Sequence, residues 1–240
     1  MKQQTIPDVL SATNLIAGRA LLHWIRGLIC FGLCLLLAFF LAGCAAFPDK
    51  PARSLMYDFG PGLVLAAPPP RSANLPALAL DDIGTAGGAL DNMAVLYRLA
   101  YTDAQQLRPY SQARWSMPAA QLVRQRLREQ LGLSRVIFNA GDSAALNRSR
   151  NPVLPFLLRM DLEEFSQLFT APDTSVGLIR LRATLVEITP AGERLLAQRS
   201  VVVQRPATSA DAPGGVRALT AATDAAIEEI DQWLRQTPAR

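Results

Sequence analysis

Histidine, lysine and cysteine are scarce in this chain, whose 240 residues include one histidine, two lysines and three cysteines. Histidine and cysteine supply most zinc ligands, and together with serine and lysine they build most nucleophilic active sites. The histidine, His23, and two of the cysteines, Cys30 and Cys34, lie close together near the N-terminus. The fate of this N-terminal segment therefore decides which chemistry the working protein retains.

An apolar run over residues 27–40 ends at a four-residue motif. Arg19 and Arg26 precede the run, whose length suits the apolar region of a signal peptide and is short for a membrane span. The motif has the composition of a lipobox, a cleavage site whose cysteine becomes the lipid-modified first residue of the mature protein. It consists of Leu41, Ala42, Gly43 and Cys44. A plain transmembrane anchor is the alternative, but residues 48–51, with two prolines, are typical of a tether and do not continue a helix.

We therefore predict a signal peptide over residues 1–43, a lipidated tether over residues 44–52 and one periplasmic domain over residues 53–240. The lipid expected on Cys44 is a diacylglycerol with a further acyl chain such as palmitate. Because each buried methylene contributes about 0.8 kcal/mol, three chains would attach the domain permanently to a membrane.

Cleavage at this site would remove His23, Cys30 and Cys34 and would leave Lys50, in the tether, as the remaining lysine. The domain then has no histidine, no lysine and no free cysteine. A Ser-His-Asp triad, a Cys-His pair, a Ser-Lys dyad, a disulfide and a His/Cys zinc site are thereby excluded. We expect a protein that is not an enzyme and that binds no metal and no cofactor besides its covalent lipid.

The net charge gives little indication of a partner. It falls from +4 to +2 in the predicted mature chain, since three basic residues and one acidic residue are removed. The basic residues form no stripe of the kind that binds nucleic acid. We expect no nucleic-acid partner.

Alternating apolar and polar residues predict eight strands, and two stretches with helical periodicity predict two helices. The predicted strands are residues 53–59, 75–83, 93–101, 110–115, 135–139, 156–162, 179–185 and 195–204. The first helix is predicted to start with Ser116 or Met117 as its N-cap and to stop at Gly132. The second is predicted to run from about Val216, with Trp233 on its apolar stripe. This order indicates the α+β class, with a mostly antiparallel sheet and two helices packed on one face.

Charged residues indicate how two consecutive long strands pair, the one that begins at Phe156 and the one that begins at Ile179. A hairpin of these strands would place Asp161 and Glu163 opposite Arg180 and Arg182. The alternative, an acid/base pair that also draws on Glu164, would resemble the two carboxylates of a glycosidase. We favour the ion-paired strand face, because arginines on the neighbouring strand balance the carboxylates.

Basic residues gather around the first predicted helix. They are Arg108, Arg114, Arg124, Arg126 and Arg128. The face that carries Arg124 and Arg128 is a candidate dock for anionic lipid headgroups or for an acidic partner surface. An ordinary solvated helix face is the alternative.

Two apolar features are also candidates for contact with a partner. Leu63, Val64 and Leu65, followed by two alanines, lie between glycine and proline residues. Since exposed apolar segments are unfavourable in water, this segment packs either on a partner or on the sheet of its own domain. Trp115, just before the first helix, is either an interface anchor or a core residue.

The segment Ala94–Leu131 carries a pattern of core, turn and edge residues that identifies a family. The pattern comprises Tyr97-Arg98, the stretch Arg114-Trp115-Ser116-Met117-Pro118 and a helix that begins Gln121-Leu122-Val123. It resembles the auxiliary lipoprotein components of Mce-type ABC transport systems. The lipobox, the strand with Tyr57, the hairpin and the C-terminal helix occur in the order that this resemblance implies.

The resemblance implies a membrane-anchored periplasmic domain with three partners: an Mce-domain protein, a permease and an ATPase. Such a system moves phospholipids or other apolar molecules between the inner and outer membranes. The chain has no Gly-x-x-x-x-Gly-Lys-[Ser/Thr] phosphate loop and no apolar run of about 20 residues after the predicted cleavage site, so it is neither ATPase nor permease. A structural envelope lipoprotein that binds cell-wall or outer-membrane assembly components is the alternative. A homo-oligomer and a monomer both stay open.

Ala45 follows the predicted lipidated cysteine. In enteric-type sorting an aspartate at this position retains a lipoprotein in the inner membrane. We therefore expect the periplasmic face of the outer membrane, with a different sorting rule in this organism as the alternative.

Replacement of Cys44 by serine tests the lipoprotein prediction. We expect the Cys44→Ser protein to stay uncleaved and unlipidated, because signal peptidase II requires the lipid-modified thiol. The measurement is metabolic labelling with an acyl probe, with Cys30→Ser as the matched control that keeps its label. A wild-type chain that incorporates no acyl probe would contradict the prediction.

Overall fold

The computed structural model describes residues 24, 26–33, 36, 53–62, 75–139, 154–189 and 191–237. The chain divides into two compact units, Met1–Ala52 and Arg53–Arg240. The described residues of the first unit are helical and exposed. In the described part of the chain, no helix combines the length and the apolar composition that a membrane crossing requires. Several predicted site residues lie outside the described residues, namely Leu41, Ala42, Gly43, Cys44, Leu63, Val64 and Leu65.

The described residues of the second unit form nine strands and two helices. The strands are β1 (Leu55–Tyr57), β2 (Leu78–Leu80), β3 (Gly84–Thr85), β4 (Ala94–Leu99), β5 (Asp103–Trp115), β6 (Ile137–Asn139), β7 (Phe156–Ala171), β8 (Thr174–Thr189) and β9 (Gly192–Pro206). The helices are α1 (Ala119–Leu131) and α2 (Ala212–Gln236).

Strand β7 is the central strand of the sheet and pairs with four other strands. One edge of β7 pairs antiparallel with β8 along nearly its whole length, and β8 pairs antiparallel with β9. Along the other edge, β2, β3 and β4 follow one another and all run parallel to β7. Beyond them, β6 pairs parallel with β2, β5 pairs antiparallel with β4, and β1 pairs parallel with β5.

The prediction of a mostly antiparallel sheet is therefore too simple, although the α+β class holds. Among the described residues the sheet is mixed, and the three short strands beside β7 all run parallel to it. Alternation of apolar residues reveals that a segment is a strand, but it does not reveal the direction of its neighbour.

Both helices bury their apolar residues in one cluster with one face of the sheet. From α1 the cluster takes Val123 and Leu127, and from α2 it takes Leu219 and Ile230. Trp115 is 1% exposed and lies at the centre of this cluster, where its ring packs against those of Phe59 and Phe165. Trp115 is therefore a core residue and not an exposed interface anchor.

The hairpin of β7 and β8 is confirmed, with a longer span and a shorter turn than predicted. Asp161 lies opposite Arg182 as expected. A bulge between Leu162 and Glu164 then places Glu164, and not Glu163, opposite Arg180. The carboxylate of Glu163 forms its ion pair with Arg182 instead.

Strand β5 and the starts of both helices differ from the prediction. β5 begins at Asp103 and completes a hairpin with β4, whereas the sequence indicated only its last six residues. Helix α1 begins at Ala119 with Pro118 in the N-cap position and with no side-chain cap, and it ends before Gly132 as predicted. Helix α2 begins at Ala212, four residues before the predicted start, because Asp211 caps it and a proline suits its first turn.

Glycines in α2 and in the strand beneath it allow the helix to approach the sheet closely. A Cβ atom at Gly177 of β8 would lie 2.5 Å from the backbone of Ala218 and Leu219. A Cβ atom at Gly215 would lie 2.0 Å from the Oε1 atom of Gln167. Gly177 and Gly215 therefore serve the packing of the helix on the sheet.

A short polar chain lies within this packed region. The Tyr110 hydroxyl donates to Oε1 of Gln167 at 2.8 Å, and Nε2 of Gln167 donates to Oγ of Ser175 at 2.7 Å. Gln167 is fully buried, and the ring of Tyr97 stacks on that of Tyr110 at 4.6 Å between centroids. Burial, assisted by the nearby Tyr97 and Asp211, raises the pKa of the Tyr110 phenol well above its usual range.

The raised pKa of Tyr110 predicts a loss of stability in alkali. Above the ordinary tyrosine pKa of about 10 the unfolded chain loses this proton while the folded chain keeps it, so that the free energy of unfolding falls as pH rises further. We expect Tyr110→Phe to lower stability by about 1 kcal/mol at pH 8, because Gln167 loses its donor, and to flatten the alkaline decline. Denaturant unfolding between about pH 8 and pH 11 measures both effects. Tyr101→Phe, at an exposed position, is the matched control, and an equal slope in the two variants would contradict the assignment.

Candidate functional site

Arg124 and Arg128, the two predicted contact residues that the structure describes, lie on α1 and line one groove. The groove has a volume of about 570 Å³ and separates α1, from Ala120 to Arg128, from the segment 82–91. We call it the Arg124 groove. Its polar lining comprises Gln121, Arg124, Gln125 and Arg128 on the helix and Asp82, Thr85 and Asp91 on the facing segment.

Hydrogen bonds hold both guanidinium groups in place. Arg124 donates from Nε to the carbonyl oxygen of Asp81 at 3.2 Å and from Nη2 to Oδ1 of Asn139 at 3.3 Å. Arg128 donates from Nη1 to the same oxygen of Asn139. Because a neutral amide accepts from both arginines, it orients their charges without neutralising them.

The facing side of the groove is acidic, and the Asp82 carboxylate on it is only weakly bound to Arg124. The carboxylate of Asp82 lies 3.4 Å from Nε of Arg124, but the Asp82 side chain is 94% exposed. An ion pair that is so open to water contributes about 0–1 kcal/mol, and a partner's carboxylate can replace Asp82 at little energetic cost. Asp91 accepts a hydrogen bond from the hydroxyl of Thr85.

Arg126, one position away in the sequence from the groove-lining Gln125, has a different role. Its side chain is 11% exposed, and it contacts both carboxylate oxygens of Asp224 on α2, the nearer at 2.7 Å. Gln130 donates to the same carboxylate at 3.1 Å. The predicted basic cluster is therefore divided: Arg126 joins the two helices, and Arg124 and Arg128 face the groove.

Of the carboxylates that the sequence offered as an acid/base pair, Glu163 and Glu164 each form an ion pair with an arginine, and Asp161 lies opposite Arg182 in the strand register. Arg98 approaches Glu164 through two nitrogens, the nearer at 2.9 Å, and it also donates to the carbonyl oxygens of residues 104 and 105. Glu163 pairs with Arg182. These contacts support the ion-paired strand face. Among the described residues, no group of three or more His, Cys, Asp or Glu side chains is placed to hold a metal ion.

Asp82 lines the groove and Asn139 holds its two arginines, and the sequence did not indicate either role. Both residues stand outside α1, on the segment that follows β2 and at the end of β6, and no spacing rule links them to Arg124. The one signal was that each lies at or near the end of a predicted strand, Asp82 in the strand over residues 75–83 and Asn139 in the strand over residues 135–139. Pairing of β2 with β6 brings the two together beside the helix.

Comparison with known proteins matches most of the second unit. The model of the ABC-type transport auxiliary lipoprotein component family matches residues 57–231. The crystal structure of protein XCC0632 from Xanthomonas campestris, a DUF330 protein, is similar with 20% sequence identity and a TM-score of 0.59, and the match covers 77% of this chain and 96% of that one. An uncharacterised protein of known structure is 13% identical with a TM-score of 0.50, and the match covers 78% of this chain and 99% of that one.

These two structural likenesses show the fold alone, because their sequence identities are low. None of the curated proteins matches this chain significantly.

The contrast between Arg126 and Arg124 predicts different effects on stability. We expect Arg126→Ala to lower the free energy of unfolding by about 1–3 kcal/mol, because it leaves Asp224 without its charged donor between the helices. Arg124→Ala is the matched control on the same helix and should change stability by less than about 1 kcal/mol. Urea denaturation of both variants measures the difference, and equal losses would contradict the division of roles.

Proposed function

This chain belongs to the family of ABC-type transport auxiliary lipoprotein components, and we propose that it serves an Mce-type transport system as a non-catalytic periplasmic adaptor. In this role it helps to move phospholipids or other apolar molecules between the inner and outer membranes. The observation that carries the proposal is the family match over residues 57–231, which spans β2 to β9, all of α1 and most of α2.

The Arg124 groove supports contact as the mode of action. Its two guanidinium groups are oriented by Asn139, and the exposed Asp82 is the weakly held counter-ion. An acidic segment of an Mce-domain protein, or an anionic lipid headgroup, would displace Asp82 and accept hydrogen bonds from both arginines. Binding of this kind needs positioned charge and no reacting group.

The lipid anchor would attach the adaptor to a membrane. A lipidated Cys44 followed by Ala45 favours the periplasmic face of the outer membrane, from which the domain reaches the Mce-domain protein. The permease and the ATPase are separate chains of the system. The apolar segment Leu63, Val64 and Leu65 is a second candidate contact. Assembly as a homo-oligomer is compatible with this role.

In-cell photocrosslinking tests the proposed partner. A photoreactive residue at Gln121, which is exposed and lines the groove, should crosslink to an Mce-domain protein or to lipid, as should one at Val64. Val202, exposed on β9, is the control position and should not. Crosslinks at both test positions to cell-wall components alone would favour the structural envelope lipoprotein instead.

Charge reversal tests the groove itself. We expect Arg124→Glu with Arg128→Glu to reduce the Gln121 crosslink by about tenfold or more, since like charges placed opposite each other cost several kcal/mol. The stability of the domain should change little. Arg199→Glu with Arg205→Glu, on the exposed surface of β9, makes the same change in net charge and should leave the crosslink intact. An equal loss in both double variants would contradict a specific role for the groove.

A further inference from the structure

The charges of the Arg124 groove are sorted by sign between its two walls. Arg124 and Arg128 stand on α1, and Asp82 and Asp91 stand on the facing segment. The described lining therefore carries two positive charges, two negative charges and no net charge. A ligand that is purely anionic is attracted by one wall and repelled by the other.

One charge on each wall has no ion-pair partner within the described residues. Arg128 donates to a neutral amide and Asp91 accepts from a neutral hydroxyl, and no described side chain forms an ion pair with either. The other two charges, Arg124 and Asp82, form one pair, which is weak because the Asp82 side chain is 94% exposed. Both walls can therefore exchange water or a weak partner for the charged groups of a ligand.

The groove also offers an apolar surface and enough room for a small molecule. Ile83, Met117 and Pro118, each partly buried, belong to its lining. Its volume of about 570 Å³ lies in the range of small-molecule sites, about 300–1,000 Å³. The α1 wall from Ala120 to Arg128 is about 12 Å long, at a rise of about 1.5 Å per residue. This space suits a polar headgroup with the carbons next to it and is too short for a full acyl chain.

We propose that the Arg124 groove binds the headgroup of a phospholipid that carries a primary ammonium group, as phosphatidylethanolamine does. This inference rests on the proposed function and specifies the class of lipid that the adaptor meets. The phosphate accepts hydrogen bonds from Arg124 and Arg128. The ammonium group donates to Asp82 and Asp91. A lipid is favoured over an acidic protein segment, because the two carboxylates of the groove repel such a segment.

The lining also distinguishes one zwitterionic headgroup from another. A primary ammonium group has three N–H donors for carboxylate oxygens. A quaternary ammonium group has no N–H and is typically bound over aromatic rings, and the described lining of the groove contains no aromatic side chain. A phosphoglycerol headgroup keeps the phosphate but lacks the cation. We therefore expect the groove to prefer ethanolamine to both choline and glycerol headgroups.

Binding of short-chain lipids to the full-length lipoprotein in dodecyl maltoside micelles tests this preference. The probes are the dibutanoyl forms of phosphatidylethanolamine, phosphatidylcholine and phosphatidylglycerol, followed by saturation-transfer NMR with empty micelles as the blank. We expect the ethanolamine lipid to bind about tenfold more tightly than the other two, since it alone engages both walls. Equal affinities, tighter binding of either other lipid or no binding of the ethanolamine lipid would overturn the proposal.

A fourth probe distinguishes a lipid from a free headgroup. Glycerophosphoethanolamine has the same phosphate and ammonium groups without acyl chains. It should bind more weakly than the ethanolamine lipid, because it leaves the apolar lining exposed to water. Equal binding of the two would identify a free headgroup as the ligand and would overturn the assignment to a lipid.

Variants assign the two ends of the headgroup to the two walls. Asp91→Asn should abolish the preference for the ethanolamine lipid over the glycerol lipid, and Arg128→Gln should weaken binding of both about tenfold. Asp173→Asn is the matched control, because this exposed aspartate in the turn between β7 and β8 also accepts from a threonine hydroxyl. The control should keep the preference of the wild type. A preference that survives Asp91→Asn would refute the site.

The outcome can be separated from that of the proposed function. If no lipid probe binds while Gln121 still crosslinks to an Mce-domain protein, the adaptor role stands and the headgroup site is wrong. If the ethanolamine lipid binds with the expected preference while the crosslinks reach cell-wall components alone, the headgroup site stands and the Mce role is wrong.

Discussion

The contact between helix α2 and strand β8 is the constraint on which the rest of this domain depends. At Gly177 the helix backbone lies so near the strand that a single added carbon would approach it to 2.5 Å. This closeness brings Gly215 onto Gln167 and encloses the polar chain from Tyr110 to Ser175. The same contact sets the position of Asp224 and Asp231 along α2, which are the carboxylates that Arg126 and Arg135 meet. The ion pairs of Asp224 and Asp231 therefore depend on how α2 packs against the sheet.

The alternation of apolar and polar residues was sufficient to locate an element where one face of that element is buried. The long β7 and β8 strands were evident from alternation, and Asp161 lies opposite Arg182 because charge and register agree. The bulge after Leu162 was not visible, since an extra residue in one strand leaves the composition of both strands unchanged. The parallel direction of β2 and β4, which the sequence did predict as strands, could not be predicted for another reason. Their partner is set by the length of β7, which offers one edge to three short segments in turn.

The residues of the candidate sites likewise divide into those that the sequence could assign and those that only the fold brings together. Arg124 and Arg128 could be paired from helical spacing alone, because residues four apart share a face. Their shared acceptor Asn139 could not be predicted, since its place beside α1 depends on the pairing of β2 with β6. Arg135 follows α1 as a single basic residue in a short connection, and no motif distinguishes it. Its burial and its ion pair with Asp231 appear only in the fold, because helix α2 supplies the carboxylate.

The two sites use arginine under opposite physical conditions. In the Arg124 groove water reaches both charges, so that a counter-ion such as Asp82 is weakly held and is easily exchanged for a large partner surface. Arg135 is 5% exposed, so water screens its ion pair with Asp231 little, and removal of either partner would leave a charge that is largely buried and unpaired. The exposed groove is suited to a contact that must form and dissolve, and the buried ion pair is suited to holding helix α2 in place.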